Sequence, residues 1–297
     1  MGDMMRNHFL RRSLLYVPGS SLKMMNRALE MEVDSVIFDL EDAVSFSEKV
    51  EARKSISEFI ATAKQTNKEV IVRTNPIDTY LGIMDLMAIV PKGPHTLVIP
   101  KASVKSILTA DVIITAIEAE LGWGKNTIKL IPLIETADGI TNVDEIVSVA
   151  KRIDGVHLGG EDLTNELGVT RTKIGDELLY ARNKVVFAAK AFELDAIDCP
   201  YVDFKDTEGL TFDINRAKSL GMTGKVCIHP GQIETINNTF SPSEEEIKEA
   251  VTIIESYEKA IQNGIGVYSL NGKMIDAPIV ERAKNLINKM EKITKNQ

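Results

Sequence analysis

The chain has little cysteine: only Cys199 and Cys227 occur among its 297 residues, and each lies in a separate apolar stretch. A disulfide framework needs more cysteines at regular spacing, so the sequence does not favour one. Two reduced thiols buried in a core are typical of a cytoplasmic protein. The sequence therefore predicts free, buried cysteines and a cytoplasmic location.

Long apolar runs and an excess of basic residues are also missing. No stretch approaches the ~18 apolar residues that span a bilayer, and residues 1–12 carry Asp3 and lack the apolar centre of a secretory signal. The 35 Lys and Arg residues are outnumbered by 43 Asp and Glu residues, which gives a net charge of −8. Because nucleic acids are held by clustered positive charge, we expect neither a membrane nor a nucleic-acid partner. A local basic pocket for one phosphorylated cofactor is still compatible with this charge.

What the chain does contain is eight short apolar runs, most of them followed by a stretch rich in helix formers. The predicted strands are 13–19, 34–42, 69–75, 96–101, 129–135, 155–160, 195–201 and 225–230. The predicted helices are 22–31, 47–64, 81–90, 104–121, 143–151, 176–192 and 209–220. Eight such units over ~250 residues are typical of an α/β protein with a (β/α)₈ TIM barrel. A doubly wound open sheet is less favoured, because no Gly-x-Gly-x-x-Gly motif follows the first run. We therefore assign residues 1–240 to the barrel.

Residues 241–297 read as a C-terminal helical extension with a lid segment. Ser241-Pro-Ser-Glu-Glu-Glu246 is a strong helix start, because acidic residues in the first turn face the positive end of the helix dipole. That helix is predicted to run to about residue 261. The Gly-rich stretch 263–278, with Asn271-Gly272 as its turn, predicts a hairpin-like lid. A barrel of eight units closes without this segment, so the segment has another task.

Polar side chains follow nearly every predicted strand. They are Asp39, Glu41, Asp42, Arg73, Lys101, Glu135, Glu161, Asp162 and His229. Functional residues of a (β/α)₈ barrel lie at these carboxyl ends, so the group indicates a site. Glu135 and Asp162 end the fifth and sixth runs without a His or Cys close in sequence, which favours Mg²⁺ over zinc. Arg73 would complement negative charge that develops on a bound 2-oxo acid.

Several of these residues also have a purely structural interpretation. Arg73 is equally suited to an ion pair with Glu41 or Asp42, and Asp39 and Glu161 to capping helices. For His229, with Pro230 after it, we favour a structural role at the strand end. His157 stands within the sixth run and is predicted to be a packed core histidine.

The chain resembles the β subunit of citrate lyase and the related malyl-CoA and citramalyl-CoA lyases of the HpcH/HpaI aldolase superfamily. The motifs that carry the resemblance run in order along the chain: Arg-Ser-Leu-Leu-Tyr-Val-Pro-Gly19, Phe38-Asp-Leu-Glu-Asp-Ala-Val44, Val72-Arg-Thr-Asn75, Pro100-Lys101, Ile134-Glu-Thr-Ala137, Gly159-Gly-Glu-Asp162, Leu179-Tyr-Ala-Arg182, Ile228-His-Pro230 and Asn271-Gly-Lys-Met-Ile-Asp-Ala-Pro278. No one of them is decisive, but nine collinear motifs are a specific signal.

The resemblance implies a carbon–carbon lyase (oxo-acid lyase) that cleaves a citryl-, malyl- or citramalyl-type thioester to an acetyl thioester and a 2-oxo acid. It implies Mg²⁺ on Glu135 and Asp162, substrate contact from Arg73, and CoA contacts from Tyr16 and Arg27. It also implies homo-oligomers, commonly trimers, in which the C-terminal segment covers a neighbouring subunit's site and supplies Asp276 as the acid–base group.

Two alternatives stay open beside that expectation. One is a citryl-carrier lyase subunit, active only with citrate lyase α and acyl-carrier subunits; the other is an aldolase on free hydroxy-oxo acids. Ser21 stands where some malyl-CoA lyases carry Arg, so one phosphate contact is missing or comes from elsewhere, for example Lys23. His229 precedes Pro230 where citrate lyase β subunits usually have Asn, which favours a free CoA thioester.

Overall fold

Eight parallel strands form a closed barrel in chain order, with the eighth beside the first, in a computed structural model that describes residues 9–295. The strands are β1 (Ser13–Pro18), β2 (Ser35–Asp39), β3 (Glu69–Arg73), β4 (Thr96–Ile99), β5 (Lys129–Ile134), β6 (Gly155–Leu158), β7 (Asp195–Asp198) and β8 (Gly224–Cys227). Most are buried along their whole length, as expected when side chains fill the interior and helices cover the outside. The predicted (β/α)₈ TIM barrel is confirmed.

Helices follow the strands and continue beyond the barrel. They are α1 (Leu22–Leu29), α2 (Lys49–Ala63), α3 (Tyr80–Ile89), α4 (Val104–Glu120), α5 (Ala137–Thr141), α6 (Val143–Ser148), α7 (Gly160–Glu166), α8 (Leu179–Ala191), α9 (Thr207–Leu220), α10 (Ile233–Phe240), α11 (Glu244–Gln262) and α12 (Ala277–Lys295). Side-chain caps fix several starts: Ser21 accepts from the Met24 amide and Thr79 from the Gly82 amide. Within residues 9–295, no helix is both long and apolar enough to cross a membrane.

Three helices lie where the sequence predicted none. Thr136 caps the start of helix α5, and Asn142 separates the end of α5 from the start of α6. Helix α7 follows β6, and α10 follows β8. All three have eight residues or fewer, too short for apolar periodicity to be visible.

The barrel interior is filled by one inward-facing residue set. The core cluster consists of Leu14, Ile37, Ile71, Val98, Ile131, Leu133, Ile197 and Val226, with Tyr16 packed against it. Because side chains alternate along a strand, Tyr16 faces the same way as Leu14, two residues earlier. His157 pairs in register with Leu133 on one side and Ile197 on the other, so it also faces inward. Both cysteines are buried and free, as predicted.

A second compact unit begins at Asn238, so the boundary between the two units falls within α10. In this unit Ser243 and Glu246 form a reciprocal capping box at the start of α11. Strands β9 (Tyr268–Leu270) and β10 (Lys273–Ile275) pair antiparallel, and the turn residues Asn271 and Gly272 have φ of 51° and 79°. Positive φ at both positions is the geometry that Asn-Gly favours in tight hairpins. The predicted hairpin is therefore present; that it acts as a lid stays a prediction.

Candidate active site

A cavity of about 350 Å³ lies where β2, β3, β5 and β6 end. Its wall contains four residues to which the sequence assigned a metal, substrate or carrier contact, Tyr16, Arg73, Glu135 and Asp162, and three further members of the strand-end polar group, Asp39, Asp42 and Glu161. The remaining lining residues are Ala43, Leu133, His157, Gly159, Gly160, Pro200 and Ile228. The barrel topology thus brings together side chains that are far apart in sequence.

Glu135 directly follows β5 and is 5% exposed. Its Oε1 accepts a hydrogen bond from the backbone amide of Lys101 at 2.8 Å. Lys101 has a φ of 45°, a left-handed conformation that non-glycine residues rarely adopt. On the other side, a methyl group added at Gly159 would lie 2.4 Å from the Glu135 Cβ and 2.8 Å from its Oε2. The backbone at positions 101 and 159 is therefore shaped around this carboxylate.

Asp162 reaches the same cavity from the first turn of α7, four residues beyond the end of β6. The sequence placed it at a strand end, and the structure corrects that position. Asp162 is half-buried, and no hydrogen bond or ion pair reaches its carboxylate from the rest of residues 9–295. Burial raises the pKa of Glu135 to about 7. The hydrogen bond from the Lys101 amide lowers this pKa, whereas the nearby charge of Asp162 raises it further.

The two carboxylates suit a hard divalent cation. One oxygen of Glu135 and both oxygens of Asp162 have no partner in the part of the chain that the structure describes, and the two groups repel each other. A dication between them would remove that repulsion. No group of three His, Cys, Asp or Glu side chains within residues 9–295 is arranged to hold a metal. A pair of oxygen ligands, with water and substrate completing the shell, matches Mg²⁺ rather than zinc.

Arg73 lies at the end of β3 and pairs mainly with Asp39, its register neighbour on β2. Its Nε and Nη2 donate to the two Asp39 oxygens at 2.7 and 2.6 Å. Its Nη1 is 3.0 Å from Glu41 Oε2 and 3.5 Å from Asp42 Oδ2. The alternative ion pairs predicted for Arg73 therefore exist, but the main partner is Asp39, which the sequence interpretation did not name.

Burial and Arg73 act in opposite directions on the pKa values of the carboxylates in this cluster. Burial alone would raise the pKa of Asp39, but the hydrogen bonds from Arg73 outweigh it and hold the pKa below its ordinary value. Burial raises the pKa of Glu41 to about 8, although Arg73 opposes the shift. Hydrogen bonds to Asp39 and Asp42 use three of the five guanidinium N–H groups, so Arg73 keeps donors for a ligand.

Tyr16 stands between Arg73 and His157. The Arg73 guanidinium carbon lies 4.7 Å from the Tyr16 ring centroid, a cation–π contact. The Tyr16 hydroxyl is 3.4 Å from His157 Nδ1. Burial raises the pKa of Tyr16 well above its ordinary value and lowers the pKa of His157 to about 3, so both are neutral at pH 7. His157 is buried as predicted, but it lines the cavity instead of lying in an apolar core.

A second cavity of about 440 Å³ shares Tyr16 and Ile228 with the first. Its wall is mostly apolar and contains Arg27, an exposed residue whose guanidinium has no partner within residues 9–295. His229 also lines it: Nδ1 accepts from the Gly231 amide at 3.1 Å, and the ring stacks on Phe204 at 4.6 Å. His229 therefore makes a structural contact just after β8; that this is its only role stays a prediction.

Asp276 belongs to the second compact unit. Its Oδ1 accepts from the Ile279 amide at 3.2 Å and its carbonyl from the Val280 amide, so it caps the start of α12. The structure thus gives Asp276 a local structural contact, and its catalytic role stays a prediction. Glu161 is exposed and pairs with Arg171 at 2.6 Å, while Asp39 accepts from the amides of Glu41 and Ala43 beside its bond to Arg73.

The fold and site define a class: (β/α)₈ barrel proteins with a pair of carboxylates, suited to a divalent cation, at the carboxyl ends of the strands. The chain belongs to the HpcH/HpaI aldolase/citrate lyase family, whose family model matches residues 12–230.

Named relatives support that membership over nearly the full length of the chain. The chain is 39% identical to the citrate lyase subunit beta of Haemophilus influenzae over 281 residues, covering 94% of this chain and 97% of that protein. It is 35% identical to the mitochondrial citramalyl-CoA lyase of Homo sapiens, covering 93% of this chain and 84% of that protein. Among solved structures, CitE from Mycobacterium tuberculosis in complex with magnesium, acetoacetate and coenzyme A is 26% identical, with a TM-score of 0.79 and coverage of 94% and 97%.

Proposed function

We propose that this protein is a Mg²⁺-dependent carbon–carbon lyase that cleaves a 3-hydroxyacyl-CoA of the citryl, malyl or citramalyl type. The products would be an acetyl thioester and a 2-oxo acid. The observation that carries the proposal is the carboxylate pair Glu135 and Asp162 beside Arg73, of which three oxygens have no partner within residues 9–295. Their cavity shares Tyr16 and Ile228 with a second cavity that contains Arg27. A small acid and a long thioester carrier need two such adjoining spaces.

The names of similar proteins support this assignment. The human relative is a citramalyl-CoA lyase, and the CitE structure holds magnesium, coenzyme A and acetoacetate. The family motifs around Glu135 and Asp162 are present in this chain, so the same metal and the same carrier are expected here. Arg27 would meet a phosphate of the carrier, since its guanidinium is exposed and unpartnered within the described residues.

Glu135 and Asp162 would hold Mg²⁺ as two oxygen ligands. When bound, Mg²⁺ supplies Lewis-acid polarisation of the substrate oxygens that it contacts. Gly159 keeps the space beside Glu135 open, and the Lys101 amide fixes the direction of its carboxylate. Glu135 is therefore held in place before the metal binds, which lowers the cost of ordering this ligand on binding.

In the cleavage direction, Asp276 would act as the base that takes the proton of the substrate hydroxyl, and the hydroxyl oxygen becomes the carbonyl oxygen of the 2-oxo acid. The adjacent carbon–carbon bond breaks, and its electron pair passes to the acetyl thioester as an enolate. Arg73 stabilises the negative oxygen that develops on the acid, using N–H groups not bound to Asp39. Asp276 would deliver the proton to the enolate carbon, a step for which general acid catalysis contributes typically ~10²- to 10⁴-fold. We further propose a homotrimer in which Asp276 acts on a neighbouring subunit's site.

The test is an assay of purified protein with Mg²⁺ against citryl-CoA, malyl-CoA and citramalyl-CoA, with detection of the 2-oxo acid. We expect cleavage of at least one thioester, its loss on addition of EDTA and its recovery with Mg²⁺. Glu135→Gln should abolish detectable turnover because one metal ligand loses its charge. Glu145→Gln, at an exposed carboxylate on α6, is the matched control and should retain wild-type rates.

The other outcomes identify the alternatives. Inactivity on all three thioesters, with activity restored by citrate lyase α and acyl-carrier subunits, would show a carrier-dependent subunit, as the name of the H. influenzae relative allows. Cleavage of free hydroxy-oxo acids without any binding of acetyl-CoA in a titration would show an aldolase instead. Wild-type turnover in the presence of EDTA would contradict the metal-dependent mechanism.

A further inference from the structure

His157 is a buried polar residue that the proposed mechanism does not use. It is 2% exposed and lies in β6, with its ring centroid 6.0 Å from that of Tyr16. Its Nδ1 faces the Tyr16 hydroxyl at 3.4 Å, while its Nε2 is buried without a partner in the part of the chain that the structure describes. A polar ring buried with one open nitrogen requires a reason, because most buried polar groups are hydrogen-bonded.

The protonation of this ring follows from its surroundings. Burial, with the charge of Arg73 adding to it, lowers the pKa of His157 to about 3, so the ring carries one proton at pH 7. A proton on Nε2 would leave a buried N–H group without an acceptor, and such orphaned donors are rarer in proteins than under-satisfied acceptors. A proton on Nδ1 instead donates to the Tyr16 oxygen and leaves only a lone pair unpaired at Nε2. The second tautomer is therefore favoured.

This tautomer decides what the Tyr16 hydroxyl can do. If Nδ1–H donates to the phenolic oxygen, the phenolic proton must point elsewhere, and Tyr16 lines both cavities. The Arg73 guanidinium lies over the ring and opposes, without outweighing, the burial that raises the pKa of Tyr16, so the phenol keeps its proton and can donate it in a hydrogen bond. A donor at the junction of the two cavities stands where the thioester of a ligand spanning both would lie.

We propose that His157 is a positioning residue: its Nδ1–H holds the Tyr16 hydroxyl so that the phenolic proton donates to the thioester carbonyl oxygen of the substrate. This inference rests on the proposed lyase function, which supplies the thioester and the enolate. The proton stays on Tyr16 throughout, since the hydrogen bond only stabilises the enolate oxygen. The separation of 3.4 Å is near the upper limit for a hydrogen bond, and catalytic bonds of this kind often tighten when the ligand binds.

The first test needs no substrate. Histidine ¹⁵N labelling of the whole protein, with His157 assigned by its loss in a His157→Leu variant, shows which ring nitrogen carries the proton. We expect Nδ1 protonated and Nε2 bare in the free wild-type protein at pH 7. A proton on Nε2 would overturn the proposal whatever the lyase assay shows, and an inactive protein with the expected tautomer would count against the function alone.

The second test measures whether His157 acts through Tyr16. Tyr16→Phe should lower kcat about 10²-fold, the usual scale for losing one donor to a developing oxyanion. His157→Leu should lower kcat about tenfold at nearly unchanged KM, and His157→Asn, whose amide places an N–H near the Nδ1 position, should recover most of it. When His157→Leu is added to the Tyr16→Phe variant, kcat should fall by less than about twofold further, because the two residues act as one unit.

The control for general damage is His95→Leu, which removes an imidazole that accepts from the Val70 amide away from both cavities. It should leave kcat within about twofold of wild type. Additive losses in the Tyr16→Phe and His157→Leu double variant, or equal kcat losses in His157→Asn and His157→Leu, would show that His157 only packs the barrel.

Discussion

At the scale of single residues, Lys101 shows how backbone conformation serves the site. Its φ of 45° puts the chain in the left-handed region while its amide donates to Glu135 at 2.8 Å. That conformation costs an L-residue roughly 1–2 kcal/mol. The side chain is exposed, so the function that the structure supports lies in the backbone N–H.

We therefore expect substitutions at Lys101 to act through φ. Lys101→Gly accepts positive φ without strain, so Mg²⁺ affinity should stay within about twofold of wild type. Lys101→Val resists positive φ because of its branched Cβ and should lower the free energy of unfolding by about 1–2 kcal/mol while weakening Mg²⁺ binding. Isothermal titration with Mg²⁺ and urea unfolding measure the two effects. Equal weakening in both variants would mean that the lysine amine itself contributes to the site.

Residue type at the end of an apolar run was enough to predict Glu135, Asp162 and Arg73 as members of one site. The partner of Arg73 was not predictable in the same way, since Asp39 becomes its neighbour only through the β2–β3 register. His157 was missed as a site residue because its run is apolar on both sides. The available signal was the alternation of side chains along a strand. Because His157 and Gly159 are two residues apart, both positions face the same side of the strand, so His157 faces the site if Gly159 does.

At the scale of elements, the turn from β6 into α7 determines the metal site. The strand ends at Leu158, and α7 begins at Gly160, so Asp162 is carried to the cavity by the first helical turn. Seven residues are too few to show a helical apolar period, which is why the sequence predicted no helix there. Gly159 lies at the junction, and the close approach of β5 to this turn leaves no room for its Cβ.

Gly159→Ala should therefore damage the site more than the fold. The added methyl would meet the Glu135 Cβ at 2.4 Å, so the carboxylate must move. We expect Mg²⁺ affinity to fall at least about tenfold, with about 1–3 kcal/mol lost from the free energy of unfolding through overpacking. Gly124→Ala is the matched control, because its methyl would meet only Thr127 Oγ1, at 3.7 Å. Unchanged Mg²⁺ affinity in Gly159→Ala would show that Glu135 is not held in place by this contact.

At the scale of the whole molecule, the barrel was predictable because its signal is repeated eight times. Each buried parallel strand reads as an apolar run, and an error at one boundary does not change the count. The proposed role of Asp276 was not predictable in this way. Asp276 caps α12 within its own unit, and local sequence carries no information on which subunit's site it would serve. That question depends on assembly and has to be tested on the oligomer.

Subunit mixing provides the test. Asp276→Asn should retain Mg²⁺ binding but lose turnover, because it removes the proposed proton donor and leaves both metal ligands unchanged. Glu135→Gln should lose turnover through the metal site. When the two variants are co-expressed with different tags and doubly tagged trimers are purified, action on a neighbouring subunit restores about one third of the sites, since one of three then combines an intact Glu135 with an intact Asp276. Trimers of each single variant are the controls and should stay inactive. Doubly tagged trimers that stay inactive would show that Asp276 serves its own subunit, and Asp276→Asn with near wild-type turnover would remove Asp276 from the mechanism.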